Sequence, residues 1–169
     1  MKFFVLKILM VFDFFHKKKI LKVLKNQLSK HNNIIIFDVG GHHGESIFFF
    51  NQNFDTSKIY TFEPIKDNFL KLKKKTKNIK EKVVYFNFAL GNKKEKRVIK
   101  KMIESSSSTL NEINEKSKYF RKKKFFWGLS KKEKMYEEKN VFIEKGINII
   151  KRFNLDKIDL LKIDTEGYE

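Results

Sequence analysis

Acids and glycines alternate at one point of this chain, Asp38-Val39-Gly40-Gly41-His42-His43-Gly44, with Glu45 and Ser46 directly behind. Glycines after a buried strand let the backbone approach a ligand closely, and the N-terminus of the following helix offers it free N–H groups. A tight turn that holds no ligand is the alternative. The dinucleotide fingerprint G-x-G-x-x-G fails, because Val39 stands two residues before Gly41; the spacing is D-x-G-x-x-x-G instead. Glu63 follows 19 residues after Gly44. A carboxylate closing a second strand accepts hydrogen bonds from both hydroxyls of a ribose; a solvated strand-end acid, its exit fixed by Pro64, is the alternative. Acids at both stations favour a ligand without strong negative charge. S-adenosylmethionine, with a sulfonium cation and no phosphate, fits them better than NAD or ATP. His42, His43 and Glu45 match no familiar ligand spacing, so no metal is expected.

These residues need a scaffold, and the apolar pattern supplies one. Residues 34–39 form a continuous apolar run with one acid, as in a strand buried on both faces of a parallel sheet. Further strands are expected at 58–63, 83–88 and 158–164, and helices after Gly44, over 67–76 with Phe69, Leu70 and Leu72 inward, and over 146–153. Alternating strands and helices imply a parallel α/β sheet with right-handed crossovers. Residues 91–157 read as an insertion or lid with short strands near 96–103 and 139–145. Within it, Phe125, Phe126 and Trp127 of the basic aromatic patch are read as a packed lid over the site, stacking of a base or sugar being the alternative. Residues 1–33 form a separate amphipathic helical segment, in which Ile8, Leu9, Phe12, Phe15, Ile20, Leu21, Leu24 and Leu28 recur mostly at helical steps. It is expected to pack on its own domain, with peripheral contact to an anionic membrane as the alternative.

Composition excludes several chemistries. With no cysteine, disulfide scaffolds, zinc ribbons, thiolate catalysis and iron–sulfur clusters are out. The net charge of +18 invites a polyanion partner, but the chain has 35 Lys and only 3 Arg, and its commonest residues have A/T-rich codons. Phosphate readers favour the arginine fork, so nucleic acid is not expected as a partner. The charge is zoned: +7 over 1–33, +11 over 66–101 and +8 over 116–134, against −3 over each of 34–65 and 154–169. Lys7 and Asp13 break the first apolar run, and no apolar span reaches membrane length. A cytoplasmic location, or a membrane-peripheral one, is therefore expected.

Five ordered blocks resemble the FkbM-type, S-adenosylmethionine-dependent methyltransferases: residues 36–45, Thr61-Phe-Glu-Pro64 with Asn68 and Leu72 after it, Asn87-Phe-Ala-Leu-Gly91, the Ser105–Thr109 run, and Leu161–Glu169. The resemblance implies a class I methyltransferase, Rossmann-like sheet over 34–169, incomplete at the C-terminus because that family's sheet has seven strands. An unstable fragment with an exposed fourth strand is the corresponding expectation. It further implies that Asp38, Gly40, His42 and Gly44 hold the methionine part of S-adenosylmethionine, that Glu63 binds its ribose, and that Ala89 and Leu90 flank its adenine. Asp164 would face the transferring methyl group. Asp164 or Glu166 would take the proton of a hydroxyl acceptor, with His42 and His43 as alternative bases; a purely structural part for either acid, holding a helix N-terminus or bridging to Lys162, is the alternative. The family usually carries Asn where His42 stands. The acceptor implied is a small molecule or glycan hydroxyl, on a sugar, glycolipid or secondary metabolite. A non-catalytic module that binds anionic membrane or RNA is the alternative.

Overall fold

The computed structural model describes residues 18–28, 31–102, 108–110, 113–126, 128 and 133–165. Its main sheet contains β1 (Ile34–Val39), β2 (Thr56–Phe62), β3 (Val83–Phe86) and β8 (Leu160–Ile163), in the order β3-β2-β1-β8 and all parallel. Both faces of β1, β2 and β3 are covered, as parallel strands rich in Ile, Val and Phe require, whereas Leu161 and Ile163 of β8 are exposed. On one face Ile34, Ile36 and Ile59 meet helix α1, which spans 18–28, helix α2 (Glu45–Asn53) through Ile47 and Phe50, and helix α3 (Lys66–Lys75) through Leu72. On the other, Phe37, Val39, Tyr60, Phe62 and Phe86 meet Ile149 of helix α5 (Gly146–Arg152). Rings stack along this second face, with Phe62 and Phe86 centroids 4.9 Å apart.

Helix α3 corrects the expected apolar side. Leu70 is exposed, and the inward positions are Ile65, Asn68, Leu72 and Thr76. A polar residue holds a core-facing slot there, which a count of apolar residues misses. In α1, Leu24 and Leu28 turn to the core while Ile20 and Val23 face solvent. The other residues of the 1–33 segment, 1–17 and 29–30 apart, are described; those two stretches lie outside the described residues.

Residues 91–157 hold structure of their own. A second sheet runs β4-β7-β5-β6, from β4 (Ala89–Gly91), β7 (Tyr136–Lys145), β5 (Glu95–Met102) and β6 (Ser108–Thr109). Strands β5 and β7 pair antiparallel over eight residues, while β4 pairs parallel with β7. Its inner face docks on the main domain where Ile99 and Val141 meet Ile65. Helix α4 (Lys118–Phe126) packs on its outer face through Phe120, against Met102, Met135 and Tyr136. Phe125 and Phe126 are exposed, so they are not a packed lid; Trp127 lies outside the described residues. Phe120 is the buried residue of α4, and Phe125 and Phe126 lie on other faces of the helix.

Candidate functional site

At the carboxyl end of β1 the chain turns sharply. The N–H groups of Gly40 and Gly41 both donate to the Phe62 carbonyl at 3.0 Å, and Gly44 donates to Gly41 at 2.8 Å. Gly40 has φ +82°, and a Cβ there would strike the Asp164 carbonyl; at Gly41 it would strike the Thr61 hydroxyl. Each glycine is thus required by the protein's own strands, as well as by anything that binds above them. His42 also lies in the left-handed region, at φ 44°. Asn and His tolerate that region better than most residues. The His42 backbone N–H donates to Glu63 Oε2 at 2.9 Å.

Beneath the turn lies a polar row set by strand register. Asp38 of β1 sits opposite Thr61 of β2 and Lys162 of β8. Fully buried, its Oδ2 accepts from Ser46 Oγ at 2.8 Å and Thr61 Oγ1 at 3.1 Å, and its Oδ1 faces Lys162 Nζ at 3.2 Å. The same ammonium donates to the Gly40 carbonyl at 2.7 Å and lies 3.7 Å from Asp164 Oδ2. Lysine 162 therefore ties β8, β1 and the glycine turn together. It also neutralises Asp38, so the expectation of two acids acting on the ligand reduces to one.

That one is Glu63. Its carboxylate is 5 % exposed, with Oε1 accepting from the Ile65 N–H at 2.9 Å and Oε2 from His42. Burial pushes its pKa up to about 7, against the opposing pull of the Ile65 and His42 N–H groups and the Asn68 side chain; the nearby Asp38 adds to the rise. Asn68 is 2 % exposed and its Oδ1 has no hydrogen-bond partner among the described residues. Both residues line a cleft with a cavity volume of about 100 Å³. Gly40 and His42 form its floor with Val39, Ala89 and Leu90 border it, and Ile99, Ser108 and Leu110 of the second sheet close over it. The roof of the cleft is thus β5, β6 and the residue after β6.

Of the residues expected at the site, Gly40, His42, Glu63, Ala89, Leu90 and Asp164 come together around this cleft. Asp38 lies below it, and Gly44 caps α2 against Thr76, so neither lines the space. Glu166 lies outside the described residues. A second cavity shares Gly40, His42 and Asp164 with the first, and Leu24, Phe49, Phe50, Leu160 and Leu161 give it apolar walls. The sequence reading had no role for Asn68 beyond its place in a motif, and for Lys162 only a bridge to Asp164 or Glu166; the structure has the Asp164 contact at 3.7 Å and adds those to Asp38 and Gly40. The available signals were a polar residue at an inward helical position and a lone cation inside an apolar strand opposite Asp38.

The histidines form a tight group. Their rings stack at 3.7 Å with a 24° tilt, and Glu45 approaches both, 3.5 Å from His42 and 4.0 Å from His43. Ligand atoms of the three lie within 4.8 Å of one another. Stacked rings direct their in-plane lone pairs side by side, however, and Lys75 holds Glu45 at 3.3 Å. Burial and the adjacent His42 lower the pKa of His43, which keeps that imidazole neutral.

A family model described as "Methyltransferase FkbM domain" matches residues 38–169, a stretch that includes every residue of the cleft. No curated protein and no solved structure matches the chain.

Proposed function

The chain belongs to the FkbM methyltransferase family, and from that premise we propose that it transfers a methyl group from S-adenosylmethionine to a hydroxyl of a sugar, glycolipid or secondary metabolite. The observation that carries this reading is the pairing of Glu63 with Asn68 in the cleft. The Glu63 carboxylate accepts from two backbone N–H groups and from the Asn68 side chain, which leaves it one further lone pair, and Asn68 Oδ1 is a buried acceptor with no partner among the described residues. A ligand rich in hydroxyl or amino donors satisfies both. A ribose does so at Glu63, and the apolar border of Ala89 and Leu90 suits a flat purine.

When bound, S-adenosylmethionine supplies a methyl group on a sulfonium sulfur, open to displacement by an oxygen nucleophile. The chain's part is alignment and proton removal. Gly40 and His42 hold the floor of the cleft, and Lys162 fixes Gly40 against β8. Asp164, whose carboxylate is 65 % exposed and borders both cavities, accepts the proton of the acceptor hydroxyl. The apolar walls of the second cavity favour an acceptor that carries a hydrocarbon or aromatic body beside that hydroxyl. Calorimetric titration with S-adenosylmethionine tests the reading: saturable binding that weakens about tenfold or more in Glu63→Ala is expected. Absence of binding to the wild-type chain would reject it.

A further inference from the structure

Helix α4 combines cations with exposed aromatic rings. Its nine residues, Lys-Tyr-Phe-Arg-Lys-Lys-Lys-Phe-Phe, contain five basic and no acidic side chains. Phe120 is spent on the core, while Tyr119 is 74 %, Phe125 87 % and Phe126 53 % exposed. Lys118, Arg121, Lys122, Phe125 and Phe126 line one groove, so cations and rings share a single outward stripe at helical spacing.

The stripe continues onto the sheet that carries it. Residues alternate in facing along β5, and Met102, packed under Phe120, lies on the same face as Lys96, Val98 and Lys100. Register places Phe142 opposite Lys96. Val98 is 45 % and Phe142 58 % exposed, and Lys96 Nζ stands 5.1 Å over the Phe142 ring. Lys100 and Lys134 flank the Tyr136 ring at 5.6 and 5.8 Å. Among the described residues of β5 and β7 the acid on this face is Glu138, opposite Lys100, and Tyr136 engages Glu115 at 2.8 Å. Apolar side chains and cations thus cover one side of the molecule, while the opposite face of the same sheet roofs the cleft through Ile99.

We propose that α4 and the outer face of the β4-β7-β5-β6 sheet form a docking surface for an anionic lipid membrane. Charge complementarity argues for the occupant: the lysines and Arg121 approach acidic headgroups, and Tyr119, Phe125 and Phe126 enter the boundary between headgroups and acyl chains. Rings with no polar handle at the helix tip suit that boundary better than a nucleic acid, for which arginine forks and ordered stacking platforms are the usual means. Docking by this face presents the cleft roof to the membrane side and leaves α1 uninvolved. The proposal stands apart from the methyl-transfer reading, since none of these side chains lines the cleft.

Flotation of the full chain with vesicles tests it. With phosphatidylcholine vesicles containing about 30 % phosphatidylserine the protein floats, and with pure phosphatidylcholine it stays at the bottom. Phe125→Ser with Tyr119→Ser, and separately Lys118→Glu with Lys122→Glu, each reduce the floated fraction about tenfold or more with an unchanged circular dichroism melt. Lys19→Glu with Lys22→Glu in α1 leaves it unchanged. Equal flotation with neutral vesicles, wild-type behaviour of the α4 variants, or loss in the α1 variant would overturn the proposal. So would absence of flotation with salt-sensitive retention of single-stranded RNA that depends on the same α4 residues.

Discussion

Glu63 meets opposing demands. Its burial disfavours the charge that a ribose-binding carboxylate needs, and the result is a pKa of about 7. Affinity for S-adenosylmethionine should therefore rise as pH increases from about 6 to 8, as the carboxylate ionises. Folding stability moves the other way. The folded value lies above the ordinary 4.5, so Glu63 stabilises fully below that value, and the contribution fades as pH rises through about 7. The shift corresponds to roughly 3 kcal/mol, and Glu63→Gln should flatten the thermal midpoint over this window. Gly40 offers a second test. Gly40→Ala places a methyl group against the Asp164 carbonyl at φ +82° and should cost about 3 kcal/mol, whereas Gly128→Ala, at φ +71° with open space around it, should cost only about 1 kcal/mol in urea unfolding. Asp164→Asn should abolish methyl transfer while S-adenosylmethionine affinity stays within about threefold.

Among elements, β8 depends most on one side chain. Removing the Lys162 ammonium leaves Asp38 buried and unpaired, so Lys162→Met should cost about 3 kcal/mol, much of it restored by Asp38→Asn in the double variant. A double variant no better than Lys162→Met would show that the lysine acts through the Gly40 carbonyl instead. The elements also differ in how readily the sequence discloses them. Strands β1, β2 and β3 are legible because parallel strands covered on both faces read as unbroken apolar runs; β8 carries the same kind of run, although its Leu161 and Ile163 are exposed. The Asp38, Gly40 and Glu63 stations were legible for the same reason, since each closes such a run. Strands β5 and β7 were placed as short strands, but their pairing into a second sheet was not, because alternating lysines read equally as loop. Asn68 was hidden by its type: it takes an inward position of α3 that Leu70 was expected to fill. Lys162 was expected at most to bridge Asp164 or Glu166, and its pairing with Asp38 emerged only when register set the two side by side.

For the whole molecule, the charge of +18 is a structural burden with a definite location. Basic side chains concentrate on α1, α3, α4 and the second sheet. Self-repulsion of that kind is screened by salt, so the thermal midpoint should rise by several degrees between about 0.01 and 0.5 M sodium chloride. A midpoint independent of salt would mean that the lysines are neutralised locally. The cleft lies between the two sheets, one supplying the floor and the other the roof, so ligand binding should raise the midpoint in proportion to affinity. The most direct test of the central claim is calorimetric titration of the chain with S-adenosylmethionine at pH 6 and pH 8, alongside Glu63→Gln. Saturable binding, tighter at pH 8 and made weak and pH-independent by the substitution, is the expected result; binding that Glu63→Gln leaves intact, or no binding at either pH, would contradict it.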